Sequence, residues 1–194
     1  MSYRRTVGIM GGSFNPVHIG HMMIASYIAQ TAQLDEVWLS LSPANPLKQR
    51  DDSTTDAQRL DMLRIAVAGT TGIDVTDIEL TLPHPSYTLR LLDTLAQRHP
   101  DTDFRLIIGS DNWLVFDKWR DPERILADYG VIIYPRPGYD ITLPLPPRAQ
   151  LVNAPTVDMS STFVRQAIKN GLDMNYSLPA GVYKYIQEHN LYLQ

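Results

Sequence analysis

The residues best suited to chemistry lie together in the stretch GGSFNPVHIGH, which runs from Gly11 to His21. This stretch follows the apolar run VGIM, which is typical of a short buried strand. Glycines at a strand end let the backbone approach a ligand closely, and the N–H groups at a helix start bind anions. With the Ser13 hydroxyl as a further donor, the stretch predicts a phosphate site. It matches neither the dinucleotide fingerprint nor the P-loop.

The two histidines of this stretch, His18 and His21, are three positions apart and would share one face of a helix. Three interpretations compete: structural histidines, two ligands of a metal ion, or hydrogen-bond donors to phosphate oxygens. Zinc needs at least a third protein ligand, and no obvious one lies nearby in the sequence. Beside a glycine-rich phosphate loop, we therefore favour donors to a polyphosphate.

Such a site suits nucleotidyl transfer, in which a nucleophile attacks the α-phosphorus of a nucleoside triphosphate and pyrophosphate leaves. A substrate phosphate is an adequate nucleophile, so the enzyme needs no nucleophile of its own. Catalysis then consists of positioning and of stabilising the charge that develops on the phosphates. Imidazoles, an ammonium, a guanidinium and Mg²⁺ are suitable groups for this task.

The elements that would position these residues alternate between strands and helices. Apolar patterns predict strands over 6–10, 36–42, 73–80, 104–109 and 130–134, and helices over 20–33, 55–68 and 87–98. Six prolines between 135 and 155 indicate a surface connection with short extended pieces. Two closing helices are predicted from Ser160 to before Gly171 and from Pro179 to near Asn190.

This alternation predicts an α/β, Rossmann-like parallel sheet with helices on both faces and a small C-terminal helical part. We expect one domain over residues 1–194, with the helical portion at about 156–194. In such sheets ligands bind outside the carboxyl ends of the strands, which is where the glycine-rich stretch lies.

Composition narrows the function classes. The net charge of −4 argues against a general nucleic-acid binder, and the absence of cysteine excludes disulfides and thiolate chemistry. No stretch is long enough to span a membrane, so we expect a cytoplasmic protein with no membrane or nucleic-acid partner. A homo-oligomer is compatible with the sequence.

GGSFNPVHIGH resembles the G-G-(S/T)-F-D-P-x-H-x-G-H signature of the nucleotidylyltransferase superfamily. MSSTFVR, at 159–165, resembles a second signature of that superfamily, in which the serines and threonine cap a helix facing the triphosphate. Three further segments resemble the bacterial nicotinate mononucleotide adenylyltransferases: SYTLRLLDTL (86–95), the segment 107–126 and YPRPGY (134–139). The resemblance covers nearly the whole chain.

The resemblance implies transfer of the adenylyl group of ATP to nicotinate mononucleotide, with Mg²⁺, giving deamido-NAD and pyrophosphate in NAD biosynthesis. It implies catalytic roles for His18, His21, Lys48 and Arg165. The implied ATP-binding residues are Gly11, Gly12, Ser13, Phe14, Gly109, Asp111, Arg136, Ser160, Ser161 and Thr162. The implied acceptor-binding residues are Tyr87, Thr88, Trp119 and Asn45, and no protein metal ligands are expected.

The sequence departs from the family pattern at two positions. Asn15 replaces the usual aspartate and is expected to hold the turn, and Leu47 stands where many relatives have histidine. Three alternative functions stay open: the same chemistry on another acceptor such as phosphopantetheine, a non-catalytic nucleotide-binding module, and a metal-dependent hydrolase that uses the histidine pair.

Overall fold

A six-stranded, all-parallel sheet forms the centre of the computed structural model, which describes residues 3–43, 54–142 and 144–193. The strands are β1 (Arg5–Gly12), β2 (Glu36–Leu41), β3 (Ile73–Thr76), β4 (Thr102–Gly109), β5 (Val131–Tyr134) and β6 (Ala149–Leu151). Their spatial order is β3-β2-β1-β4-β5-β6.

The strand order reverses at β1, because the chain first builds outward through β2 and β3 and then returns to the other side of β1 with β4. Crossover connections on the two sides of this point leave a crevice at the carboxyl ends of β1 and β4. Ligands of open α/β sheets bind in this crevice. The topology therefore predicts a ligand site next to the residues that follow Gly12 and Gly109.

Helices cover both faces of the sheet, as predicted. They are α1 (Ile19–Thr31), α2 (Asp56–Val67), α3 (Thr88–Arg98), α4 (Ser110–Trp113), α5 (Pro122–Asp128), α6 (Ser161–Lys169) and α7 (Val182–Glu188). Buried residues of α1, α2, α6 and α7 form one apolar cluster, and those of α3 and α5 belong to another.

Alternation along β1 explains the two clusters. Val7 and Ile9 point into the cluster with α3 and α5, whereas Met10 points into the cluster with α1 and α2. A strand that is buried on both faces needs apolar residues at successive positions, which is why these strands appear in the sequence as short apolar runs. The C-terminal helices α6 and α7 complete the first cluster, so they pack onto the sheet.

Two parts of the prediction differ from the structure. The strand predicted over 73–80 ends at Thr76, opposite Ser40, and a short 3₁₀ helix follows over Ile78–Thr81. The prediction was wrong there because the alternating pattern of the sequence continues beyond Thr76, where the pairing of β3 with β2 ends. Within the proline-rich segment, β6 is one of the expected extended pieces, and it joins the sheet as an edge strand.

The described residues include no helix with the length and apolar character that crossing a membrane requires.

Candidate active site

The loop after β1 begins the site. The Phe14 side chain is buried beneath this loop, and its ring lies edge-on to that of His21, with the centroids 5.0 Å apart. A Cβ on Gly12 would lie 3.0 Å from the same ring, so glycine leaves room for the aromatic side chain. Phe14 thus supports the histidine from below, while Gly11 near the end of β1 and Ser13 on the loop are exposed.

His18 and His21 stand at the start of α1 with their rings stacked, and the ring centroids are 3.7 Å apart. The backbone N–H of His18 donates to Nδ1 of His21 over 3.2 Å. Because Nδ1 of His21 is an acceptor, the proton of its neutral ring is on Nε2. The His18 side chain is buried, and its Nδ1 has no hydrogen-bond partner among the described residues.

Both histidines are held in the uncharged form. Burial lowers the pKa of His18 from 6.5 to about 4, and the positive charge of Arg136 acts in the same direction. Burial also lowers the pKa of His21 well below its usual value, with His18 and Arg136 adding to the effect. At neutral pH these rings are therefore neutral hydrogen-bond donors, and an arriving polyphosphate would favour their protonated forms.

The start of α6 lies against the loop after β1, so the two signature segments meet in space. The Ser160 side chain caps α6 by accepting from the N–H of Phe163 at 3.1 Å. The Ser161 hydroxyl donates to the carbonyl of Pro16 at 2.9 Å and so connects the helix to the loop. Two helix N-termini, those of α1 and α6, are thereby brought to one region, which favours binding of an anion.

Asn15 is the point at which several elements meet the loop. The Arg165 guanidinium donates to its carbonyl at 2.8 Å and reaches the Thr162 hydroxyl at 3.4 Å. The hydroxyls of Thr54 and Tyr192 both donate to its side-chain Oδ1, each at 2.7 Å. The amide oxygen of Asn15 thus connects the loop to two distant segments of the chain, and the expectation that Asn15 holds the turn stays a prediction.

On the other side of the crevice, Gly109 ends β4 and Asp111 lies in the first turn of α4. The Asp111 Oδ2 pairs with the Arg136 guanidinium at 3.1 Å, whereas its buried Oδ1 has no partner among the described residues. A Cβ on Gly109 would lie 2.4 Å from this Oδ1. Glycine therefore lets the Asp111 carboxylate pack directly against the end of β4.

Two cavities open at this edge of the sheet and share Tyr134 as a wall. The histidine cavity, of about 210 Å³, is lined by residues that include His18, His21, Tyr134, Arg136, Tyr139 and Ser160. The tryptophan cavity, of about 170 Å³, is lined by residues that include Gly11, Glu79, Thr88, Gly109, Trp119 and Tyr134. The site therefore consists of two adjoining cavities, one on each side of Tyr134.

The residues expected to bind the acceptor are divided in the structure. Thr88 and Trp119 line the tryptophan cavity together. The Tyr87 ring lies beneath the Arg120 guanidinium, 4.7 Å from its centroid, and lines a different groove. Asn45 and Lys48, and with them the Leu47 departure, lie outside the described residues.

Sequence reasoning missed Arg59, which is only 2% exposed and joins the loop after β1 to the end of β2. Its guanidinium donates to the carbonyls of Ser13 and Ser42 and pairs with Asp56, 2.6 Å away. The spacing of Asp56 and Arg59 is the usual spacing of an exposed helical ion pair. The sequence therefore held no sign that this arginine is buried.

No group of three or more metal-ligating side chains occurs in the part of the chain that the structure describes.

The chain is similar to known proteins in sequence and in fold. The profile of the Cytidylyltransferase-like family matches residues 9–167. A protein of Bacteroides fragilis named "Probable nicotinate-nucleotide adenylyltransferase" is 44% identical over 180 residues, which are 92% of this chain and 90% of that protein. A protein of the same name from Bacteroides thetaiotaomicron is 43% identical over 97% of this chain and 94% of its own.

A solved structure has the same fold. It is the Plasmodium falciparum nicotinic acid mononucleotide adenylyltransferase complexed with NaAD, with a TM-score of 0.78. The similarity covers 97% of each chain at 24% identity, so this comparison bears on the fold alone.

Proposed function

Because this chain belongs to the nicotinate-nucleotide adenylyltransferase family, we propose that it transfers the adenylyl group of ATP to nicotinate mononucleotide in NAD biosynthesis. The products are deamido-NAD and pyrophosphate. The observation that carries the proposal is 44% identity to a relative of that name over 92% of the chain. The contact between the two phosphate signatures, through Ser161 and Pro16, supports it.

In the proposed reaction, a phosphate oxygen of nicotinate mononucleotide attacks the α-phosphorus of ATP. The bond from the α-phosphorus to the bridging oxygen breaks, and pyrophosphate leaves with that electron pair. Nicotinate mononucleotide supplies its own nucleophile, so the protein contributes position and charge stabilisation. The stacked His18 and His21, neutral in the free protein, donate hydrogen bonds to phosphate oxygens that gain charge.

The proposed ATP site lies between the loop after β1 and the start of α6. Gly11 and Gly12, which end β1 without side chains, let the phosphates approach the backbone closely, and the hydroxyls of Ser13 and of the Ser160–Thr162 turn donate to them. Arg165 has a double role in this proposal, because the guanidinium that would approach the triphosphate also donates to the loop. Lys48 is proposed as a further phosphate contact.

The adenosine and acceptor sites are proposed on the opposite side of the crevice. The unpartnered Oδ1 of Asp111 accepts a ribose hydroxyl, and Gly109 lets this carboxylate lie against the end of β4. Trp119 stacks on the pyridine ring in the tryptophan cavity, and Thr88 contacts the ring carboxylate. Tyr87 and Asn45 complete the proposed acceptor site.

Mg²⁺ is proposed as an ion that enters with ATP, since the described residues supply no cage for it. Bound to the triphosphate, it would neutralise part of the phosphate charge.

The test is pyrophosphate release with ATP and Mg²⁺, run in parallel with nicotinate mononucleotide, nicotinamide mononucleotide and phosphopantetheine. Release with nicotinate mononucleotide, and more slowly with its amide, is the expected result. Release with phosphopantetheine alone would contradict the proposed acceptor. ATP binding without release on any acceptor would indicate a nucleotide-binding module.

A further inference from the structure

Glu79 places a carboxylate in the tryptophan cavity, and neither the sequence signatures nor the proposed mechanism uses it. The residue lies on the 3₁₀ turn between β3 and α3 and lines the cavity with Thr88 and Trp119. Its Oε2 accepts hydrogen bonds from the hydroxyls of Ser42, at 3.1 Å, and Ser40, at 3.3 Å. The two serines belong to β2 and the residue after it, so the carboxylate is fixed to the end of a strand.

Burial raises the pKa of Glu79, while the hydrogen bonds from Ser42, Ser86 and Ser40 and the charge of His84 act in the opposite direction. A half-buried carboxylate is unfavourable for folding unless its oxygens are satisfied. The Ser40 and Ser42 hydroxyls donate to Oε2, and a carboxylate has about four acceptor sites, so three serine donors leave a site for one more. A ligand that brings a hydroxyl donor into this cavity would use it.

The chemistry of the acceptor identifies which of its groups this carboxylate can meet. The ring carboxylate and the phosphate of nicotinate mononucleotide are anions, which a carboxylate repels. Its hydrogen-bond donors are the two ribose hydroxyls. We infer, resting on the proposed function, that Glu79 accepts a hydrogen bond from a ribose hydroxyl of the acceptor and so makes the enzyme selective for acceptors with an intact ribose.

This role differs from a structural one in a measurable way. A purely structural Glu79 would affect every acceptor equally, whereas a Glu79 that binds ribose discriminates between acceptors with and without one hydroxyl. A hydrogen bond to a charged acceptor accounts for about a 10- to 100-fold change in kcat/KM when one partner is removed. Wild-type enzyme should lose that factor on the 2′-deoxy or on the 3′-deoxy analogue of nicotinate mononucleotide.

The experiment measures kcat/KM for nicotinate mononucleotide and both deoxy analogues with wild type, Glu79→Gln and Glu79→Ala. The preference for the intact ribose should fall to within about threefold in Glu79→Ala, with an intermediate value in Glu79→Gln, whose amide oxygen still accepts. The KM for ATP should change less than twofold. Glu188→Gln, the same substitution at an exposed glutamate of α7, is the matched control.

Three outcomes would overturn the inference. An undiminished preference for the intact ribose in Glu79→Ala, with wild-type melting temperature, would show that Glu79 does not bind the ribose. Equal kcat/KM values of the wild-type enzyme for all three acceptors would show that no protein group recognises the ribose hydroxyls. No transfer to nicotinate mononucleotide by wild-type enzyme would overturn the proposed function and this inference together.

Discussion

Acid should destabilise this protein through its buried histidines, and His18 gives the clearest test. Its side chain is 5% exposed, and burial lowers its pKa from 6.5 to about 4. Below pH 6.5 the His18 ring is protonated in the unfolded chain but stays neutral in the folded protein. The free energy of unfolding therefore falls as the pH falls towards 4. Between pH 7.5 and pH 5, these two pKa values correspond to a loss of about 2 kcal/mol in the free energy of unfolding.

The assay is urea unfolding of wild type and His18→Gln at both pH values, without nucleotide. Glutamine keeps a polar side chain of similar length and does not titrate. Wild type should lose about 2 kcal/mol more than the variant on acidification. Equal losses in the two proteins, or a wild type that gains stability at pH 5, would refute a neutral, buried His18.

Three further substitutions test the contacts around the site. Arg59→Met removes a buried guanidinium from two carbonyls and should lower the free energy of unfolding by about 2 kcal/mol in urea titrations. Gly109→Ala places a Cβ 2.4 Å from the Asp111 carboxylate, so stability should fall by about 1–3 kcal/mol and the KM for ATP should rise in steady-state kinetics. Tyr192→Phe should cost about 1 kcal/mol in thermal unfolding, whereas Tyr176→Phe, at a 95% exposed position, should cost nothing measurable.

The parts of the fold that could be predicted are those fixed by local pattern. Apolar runs located β1, β2, β4 and β5, because a strand buried on both faces tolerates few polar residues. The strand predicted over 73–80 was extended too far, since the alternating pattern continues through Ile78 and Leu80 although the pairing with β2 ends at Thr76. The pairing of β6 with β5 depends on a long-range contact that its short segment does not encode.

The candidate site follows the same division. The glycine loop, the histidine pair and the Ser160 cap could be found because they are contiguous in sequence and chemically distinctive. Arg59 and Glu79 could not, because an ordinary arginine and glutamate acquire their surroundings only when β2 and the loop after β1 come together. The Tyr192 contact joins residues 177 positions apart.

The most direct measurement is the rate of deamido-NAD formation by wild type and His18→Ala at pH 7.5, with ATP, Mg²⁺ and nicotinate mononucleotide. Wild type should form deamido-NAD and pyrophosphate in equal amounts. The variant should be folded and about 100-fold slower, since it lacks one donor to the charge that develops on the phosphates. A wild type that makes no deamido-NAD would contradict the proposed reaction, and undiminished turnover by the variant would contradict the role of the histidine.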